Sequence, residues 1–208
     1  GSNLEALLED NIPIDLVASD KPNCNALKIA SYYGVSNIIA CKKLKKLEEL
    51  LSKQQYELII LAGFMRVLSP SFVQKYNIIN IHPSLLPHFK GLHAIEQALK
   101  AGVSHTGITI HYVDEGLDTG DIIAQENISV NNTETLRNLY YKSRAAMIKL
   151  FFDNWVKIKN NNSSRIEQIH EKGTTYYKKQ FDPIFPLLPR GWDTSVEEIH
   201  NLKLKKII

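Results

Sequence analysis

Ile78-Ile79-Asn80-Ile81-His82-Pro83-Ser84-Leu85-Leu86-Pro87 decides how the rest of the chain is read. An apolar run carries two polar residues two apart and ends in a turn flanked by prolines. Side chains at i and i+2 of a strand point to one face. Asn80 and His82 are therefore expected to project together from the carboxyl end of a strand, where open α/β sheets bind their ligands. An amide and an imidazole there offer donors for a developing oxyanion and a group able to carry a proton. The plainer alternative is a buried strand with two satisfied polar residues. Pro83 and Pro87 stiffening the exit, and a second polar cluster downstream, favour chemistry.

Before this stretch, strands alternate with helices. Tyr56 to Ala62 reads as a buried strand, Ser69-Pro70 as a cap and first helical turn, and Leu44, Leu47 and Leu51 as one face of an amphipathic helix. Short strands are expected over 14–19 and 35–41, and a helix over 26–33 closed by Gly34. After it, a helix over 94–101 stops at Gly102, and the alternating runs 107–113 and 121–130 form a hairpin. A long helix follows over 133–158, capped by Asn132 or Thr133. Thr174 to Lys179 reads as a strand, 185–189 as irregular and 196–206 as a terminal helix. This alternation implies an α/β fold: a Rossmann-like, mostly parallel sheet with an antiparallel edge hairpin.

The chain opens on Gly1-Ser2-Asn3 directly before a helix, Leu4 to about Asp10. Free backbone N–H groups and the helix dipole make such a start a plausible anion cradle, although Ser2 or Asn3 could serve only as an N-cap. A Rossmann-like unit needs a strand before this helix, so the first strand is expected to be missing. The gap is expected to be patched by residues upstream or by the tail around Thr174–Lys179.

The 208 residues fit one domain with an appended tail, and 44% hydrophobic content supports a core of ordinary size. A net charge of +3 does not call for nucleic acid. Cys24 and Cys41 form neither a disulfide framework nor a metal spacing, which fits a reducing, cytoplasmic setting. No apolar run reaches the ~18 residues of a membrane span. His82, His88, His93 and Asp118 match no standard metal-ligand spacing, so no metal is expected. The loop Asp114-Glu115-Gly116-Leu117-Asp118-Thr119-Gly120 supplies a carboxylate, Asp118. Beside His82 it would hold the imidazole in one tautomer and raise its pKa. Asn80, His82 and Asp118 together are equipment for acyl transfer without a covalent enzyme intermediate.

Asn-Ile-His-Pro-Ser-Leu-Leu-Pro at 80–87, followed by Asp-Glu-Gly-Leu-Asp-Thr-Gly at 114–120, resembles the folate-dependent formyltransferases. Gly1-Ser2-Asn3-Leu4, Ser19-Asp20-Lys21-Pro22 and Leu61-Ala62-Gly63-Phe64-Met65-Arg66 are similar to the phosphoribosylglycinamide formyltransferase family among them. The resemblance runs from Gly1 to about Val130. It implies a formyltransferase catalytic domain over 1–159, with 160–208 as an extension packing on it. It implies formyl transfer from 10-formyltetrahydrofolate to the primary amine of glycinamide ribonucleotide, in purine biosynthesis. It makes Asn80, His82 and Asp118 the catalytic trio.

The same resemblance has Gly1, Ser2 and Asn3 hold the substrate phosphate, with Pro83 and Arg144 as further substrate contacts. Phe64, Met65, Arg66, Val67 and Leu68 line the folate pocket together with Val113, Asp114 and Gly116, and backbone groups at Arg66 and Leu68 read the pterin. Leu86–Pro87 is expected to be cis. The implied partners are two small molecules, a phosphorylated amine and a folate, with no nucleic acid, no membrane and a monomer or homodimer. Two features depart from the pattern. Tyr141, Arg144 and Ala145 stand where the family's helix carries Gln-x-x-Glu-His, and the tail is similar to the ends of sugar-amine formyltransferases. They keep two alternatives open: N-formylation of a nucleotide-linked amino sugar, and a folate- or nucleotide-binding protein without turnover.

Overall fold

Two units, Gly1–Asn80 and Ile81–Ile208, emerge from the computed structural model, which describes residues 1–169, 175–176, 188 and 190–201. Each is taken by itself.

The first unit alternates helix and strand: α1 (Ser2–Glu9), β1 (Leu16–Ser19), α2 (Asn25–Tyr32), β2 (Asn37–Ala40), α3 (Leu44–Leu51), β3 (Ile59–Leu61), α4 (Pro70–Val73) and the start of β4 (Ile78–His82). β1 pairs parallel with β2, and β3 pairs parallel with β4 from Ile59↔Ile78 to Leu61↔Asn80. Leu4, Val17, Leu27 and Ala30 form a small core between α1, β1 and α2. Gly34 takes φ +72° to end α2, and Val35 N–H then reaches back to the Ala30 carbonyl at 2.9 Å. This is the left-handed termination that glycine permits without a Cβ penalty. α3 spans the residues its leucine spacing predicts. Its buried Glu48 accepts the Ser69 N–H at 2.8 Å, just before Pro70 opens α4. β3 is shorter than expected and only half-buried.

The second unit begins where β4 ends. Its elements are β5 (Lys90–Gly91), α5 (Ala94–Lys100), β6 (His105–Tyr112), β7 (Ile122–Ser129), α6 (Leu136–Lys159), β8 (Thr175–Tyr176), a 3₁₀ turn (Gly191–Asp193) and α7 (Val196–Asn201). β6 and β7 form the antiparallel hairpin, with a bulge between Ile110 and His111. The fold is mixed α/β, with parallel pairs and an antiparallel hairpin, as the sequence pattern implies.

The cap of α6 is Thr135, not Asn132 or Thr133. Thr135 accepts the Asn138 N–H, while Thr133 donates to Asn131 and the Asn131 N–H goes to Glu134. The polar run before α6 thus spends its side chains on its own turn, and the helix starts three residues later, at Leu136. Leu136, Leu139, Ser143, Met147 and Leu150 are the buried stripe of α6. The 3₁₀ turn and α7 fold back onto its start. Thr135 bridges Ser195, Arg137 holds Asp193 through two N–H bonds, and the Trp192 ring meets Tyr140 edge-on.

In the tail, Thr175–Tyr176 is a strand that pairs parallel with β5, not a patch beside β1. The rest of the expected 174–179 strand, most of the irregular 185–189 stretch and the end of the expected 196–206 helix lie outside the described residues. Among the described residues no helix is long and apolar enough to cross a membrane. Cys24 and Cys41 are free thiols.

Candidate active site

His82 closes β4 and is buried. Its Nε2 lies 2.9 Å from the Phe89 carbonyl, so this nitrogen carries the hydrogen. Its Nδ1 stands 3.5 Å from the Asp118 carboxylate. The turn that begins at Pro83 is held in place from the hairpin. Thr109, fully buried on β6, donates to the Ser84 carbonyl at 2.7 Å and accepts the Leu86 N–H at 3.1 Å. Gln125, its cross-strand partner on β7, donates to the Leu86 carbonyl and to the Thr109 hydroxyl, both at 2.8 Å. Two residues back on β6, a Cβ at Gly107 would collide with Leu85 and the Glu126 carbonyl. Leu86–Pro87 is cis.

Asp118 adopts a left-handed backbone, φ +52°, in the hairpin loop. A non-glycine residue there is uncommon and points to a conformation the surroundings impose. The Gly91 N–H donates to its Oδ2 at 2.8 Å. Its Oδ1 lies 3.6 Å from Nε2 of His111 on β6, whose own Nδ1 is 2.8 Å from the Tyr112 carbonyl. Burial pushes the Asp118 carboxyl upward, but the His111 hydrogen bond, the His82 ring once acid has charged it and the Gly91 amide outweigh it and hold the group at about 2. Asp118 is therefore an anion at neutral pH.

For His82 the balance goes the other way. Desolvation lowers its pKa more than Asp118 and the Phe89 carbonyl raise it. Asp118 raises the His82 pKa as the sequence implies, but the net shift is downward, because burial of the ring outweighs one carboxylate at 3.5 Å. The resting site pairs a neutral imidazole with a carboxylate, an arrangement suited to accept a proton rather than to hold one.

Asn80 lies two positions before His82 in the same strand and is half-buried. Pro83 and Val113 are half-buried, and Asp114 is exposed. Asp114 closes its own loop by accepting the Gly116 N–H and the Thr119 hydroxyl at 3.0 and 2.6 Å. Arg144 is exposed on α6.

Among the other candidates, Gly1 is the N-cap of α1, and a Cβ there would sit 2.8 Å from the Ala26 nitrogen and from Ile29. Glycine thus lets α1 start against α2. Ser2 and Asn3 follow as the first helical residues, and the Gly1 cap makes no side-chain bond. In the 64–68 stretch, Leu68 is buried and Phe64 half-buried, while Met65 and Val67 are more than half exposed. Arg66 donates to the Lys42 carbonyl at 2.9 Å and stands 3.7 Å from Asp20. The structure brings His82 and Asp118 together. The residues up to Asn80 belong to the first unit.

Three contributors escaped the sequence reading. His111 is one; its signal was available, since Gly107, Thr109 and His111 lie at i, i+2 and i+4 on the strand predicted for 107–113. Lys90 is another: it is buried on β5, where desolvation pushes its ammonium down and the Asp118 and Asp114 carboxylates oppose this. The third is Gln168, which reaches the Asp118 loop from beyond α6. Among the described residues no group of three or more His, Cys, Asp or Glu could hold a metal ion.

A model of the formyl transferase family matches residues 4–153. The chain is 40% identical over 155 residues to the phosphoribosylglycinamide formyltransferase of Bacillus subtilis, covering 67% of this chain and 80% of that one. It is also 40% identical over 167 residues to the human trifunctional purine biosynthetic protein adenosine-3, covering 73% of this chain and 16% of that protein. The chain thus spans about a sixth of the length of the human and bovine trifunctional proteins. A solved phosphoribosylglycinamide formyltransferase from Anaplasma phagocytophilum superposes with a TM-score of 0.70 at 38% identity, covering 77% of this chain and 83% of that chain. With the His-Pro-Ser-Leu-Leu-Pro turn and the Asp118 loop standing inside the matched region, the chain belongs to the formyl transferase family.

Proposed function

We propose that this protein transfers a formyl group from 10-formyltetrahydrofolate to the primary amine of glycinamide ribonucleotide, a step of purine biosynthesis. The observation that carries the reading is the shared carboxylate of Asp118, held ionised between His82 and His111 at 3.5 and 3.6 Å. The names of the relatives at 40% identity support the acceptor.

In this reading the amine nitrogen attacks the formyl carbon, and the bond from that carbon to the folate nitrogen breaks. The amine gives up a proton and the folate nitrogen gains one. Neutral His82 takes the proton in transit, and Asp118 stabilises the imidazolium that forms. Asn80 donates to the oxyanion of the tetrahedral adduct, and the positive charge of protonated His82 stabilises it. Gly1, Ser2 and Asn3 receive the acceptor's phosphate at the start of α1, with Pro83 and Arg144 at its other parts. Phe64, Met65, Arg66, Val67, Leu68, Val113, Asp114 and Gly116 line the folate side.

The test is a turnover assay under saturating 10-formyltetrahydrofolate, with glycinamide ribonucleotide and an amino-sugar nucleotide as competing acceptors. Formylation of glycinamide ribonucleotide is expected. Formylation of the amino-sugar nucleotide alone would overturn the acceptor, and folate binding with no turnover on either would overturn the enzyme.

A further inference from the structure

Residues 162–168 leave the end of α6 and return to the hairpin, beyond the stretch that the family model matches. Ile166 forms an antiparallel bridge with Ile122, exchanging both backbone hydrogen bonds at 2.8 and 3.0 Å. Arg165 stacks its guanidinium over the Tyr112 ring, 3.7 Å from the centroid, and lies 3.6 Å from Asp121. Tyr112 ends β6, and Asp121 immediately precedes β7. The strap therefore grips both ends of the carboxylate loop.

Gln168 enters the loop itself. Its Nε2 donates to the Asp118 carbonyl at 3.1 Å and to the Gly120 carbonyl at 2.7 Å. Two carbonyls facing one amide nitrogen fix which end of the side chain is the NH₂. Gln168 is buried, and its Oε1 has no hydrogen-bond partner among the described residues. A buried acceptor left without a partner is costly, so packing alone is a poor account of a glutamine at this position. The strap fastens the peptide on the carboxyl side of Asp118, whose left-handed φ of +52° sets where the carboxylate goes. On the other side of that residue, the carboxylate meets His82, His111 and the Gly91 amide.

We propose that Gln168 is a positioning residue: it holds the Asp118 backbone in the geometry that presents the carboxylate to His82 and His111. The proposal rests on the formyl-transfer reading only for its effect on turnover. Its structural half concerns the free protein. Among the described residues, the charged or titratable groups that face Asp118 include His82, His111 and Lys90, and Asp114 also acts on Lys90. Losing the aim of Asp118 removes the carboxylate that favours the charged form of His82, so the His82 titration moves to still lower pH.

The test is a Gln168→Leu variant of the full chain, with Gln168→Asn as the second variant because its shorter amide cannot span both carbonyls. The His82 imidazole is titrated by NMR without ligands, and turnover is measured against both substrates. The expected result is a His82 titration displaced downward, kcat reduced by about tenfold or more and both KM values little changed, as misaligned chemistry with intact binding requires. Gln168→Asn keeps the chain polar and folded if Leu does not. An unmoved His82 titration in a folded variant would overturn the proposal, whether or not turnover falls. If the titration moves and the wild-type protein formylates neither acceptor, the positioning role stands and the functional reading fails.

Discussion

Nε2 of His111 lies 3.6 Å from one oxygen of Asp118, and Nδ1 of His82 lies 3.5 Å from the other. Each ring turns its remaining nitrogen to a backbone carbonyl, Tyr112 for His111 and Phe89 for His82. In neutral His82 the carbonyl-facing nitrogen carries the hydrogen, so its Nδ1 meets the carboxylate bare. An arrangement of this kind favours the arrival of one proton between ring and carboxylate.

His111→Leu removes one of the groups that hold Asp118 down. The Asp118 carboxyl then moves up from about 2. The acid limb of the turnover profile should shift to higher pH, and turnover at neutral pH should fall by about tenfold, within the usual span for a group acting on proton transfer. A pH–rate profile of the variant checks this. His111 also lowers the His82 pKa, so an acid limb that superposes on the wild-type one would show that His111 governs neither Asp118 nor His82.

Acid stability gives a second test. The carboxyl of Asp118 sits at about 2 against an ordinary 3.8. A depressed folded-state pKa contributes stability that is present above about pH 4 and is lost as pH falls through about 2. The contribution is roughly 2 kcal/mol. Above that window, between the ordinary 6.5 of a histidine and pH 4, the loss belongs to His82, whose buried ring resists protonation. Urea melts of wild type and Asp118→Asn at pH 6, 4 and 2.5 should converge toward the acid end. Parallel curves across the whole range would mean that Asp118 contributes nothing there.

His82→Ala should cut turnover by about 10²-fold or more, the scale for losing an oxyanion donor, while circular dichroism reports a folded chain. Near-normal turnover by such a protein would remove His82 from the chemistry. The same measurement on Asp118→Asn should lower kcat with little change in KM for the folate, because the charge acts on the proton rather than on binding.

Thr109→Val keeps the shape of the side chain and deletes its hydroxyl. It leaves the Leu86 N–H and the Ser84 carbonyl without their partner, at a cost of about 1–3 kcal/mol. For a chain of this size that lowers Tm by about 2–4 °C per kcal/mol. Thr109→Ser should recover most of it. Calorimetry on the two variants decides the matter, and an unchanged Tm for the valine variant would show that the turn after His82 does not depend on Thr109.

The parts of the fold that were legible in the sequence are those with a local physical cause. The leucine spacing of α3 gave its bounds because one buried leucine face against lysines has only one helical solution. The hairpin and β4 were legible from alternation and flanking turns. The start of α6 was not, because Asn131, Thr133 and Thr135 are equally good caps by residue type, and hydrogen bonds within the turn decide among them. β5 is two residues long and exists through its pairing with Thr175–Tyr176, a contact that no local pattern encodes. In the site, His82 and Asp118 stood out through their motifs. His111 did not, because a histidine in an alternating strand looks like an ordinary inward polar residue until its partner is known. Gln168 reaches Asp118 across 50 positions of sequence.

β6 carries its work on both faces. Gly107, Thr109 and His111 seat Leu85, hold the turn and meet Asp118, and Ile108, Ile110 and Tyr112 alternate with them in the core. Every residue from Thr106 to Tyr112 is buried, whereas on β7 Gln125, Asn127 and Ser129 are exposed. The two strands of one hairpin should therefore differ sharply in mutational tolerance. In a saturation library selected for activity, substitutions ought to survive at Asn127 and Ser129 of β7, with Gln125 constrained by its bonds to the turn, and at almost no position of β6, so that a single seven-residue window holds the densest run of intolerant sites in the hairpin.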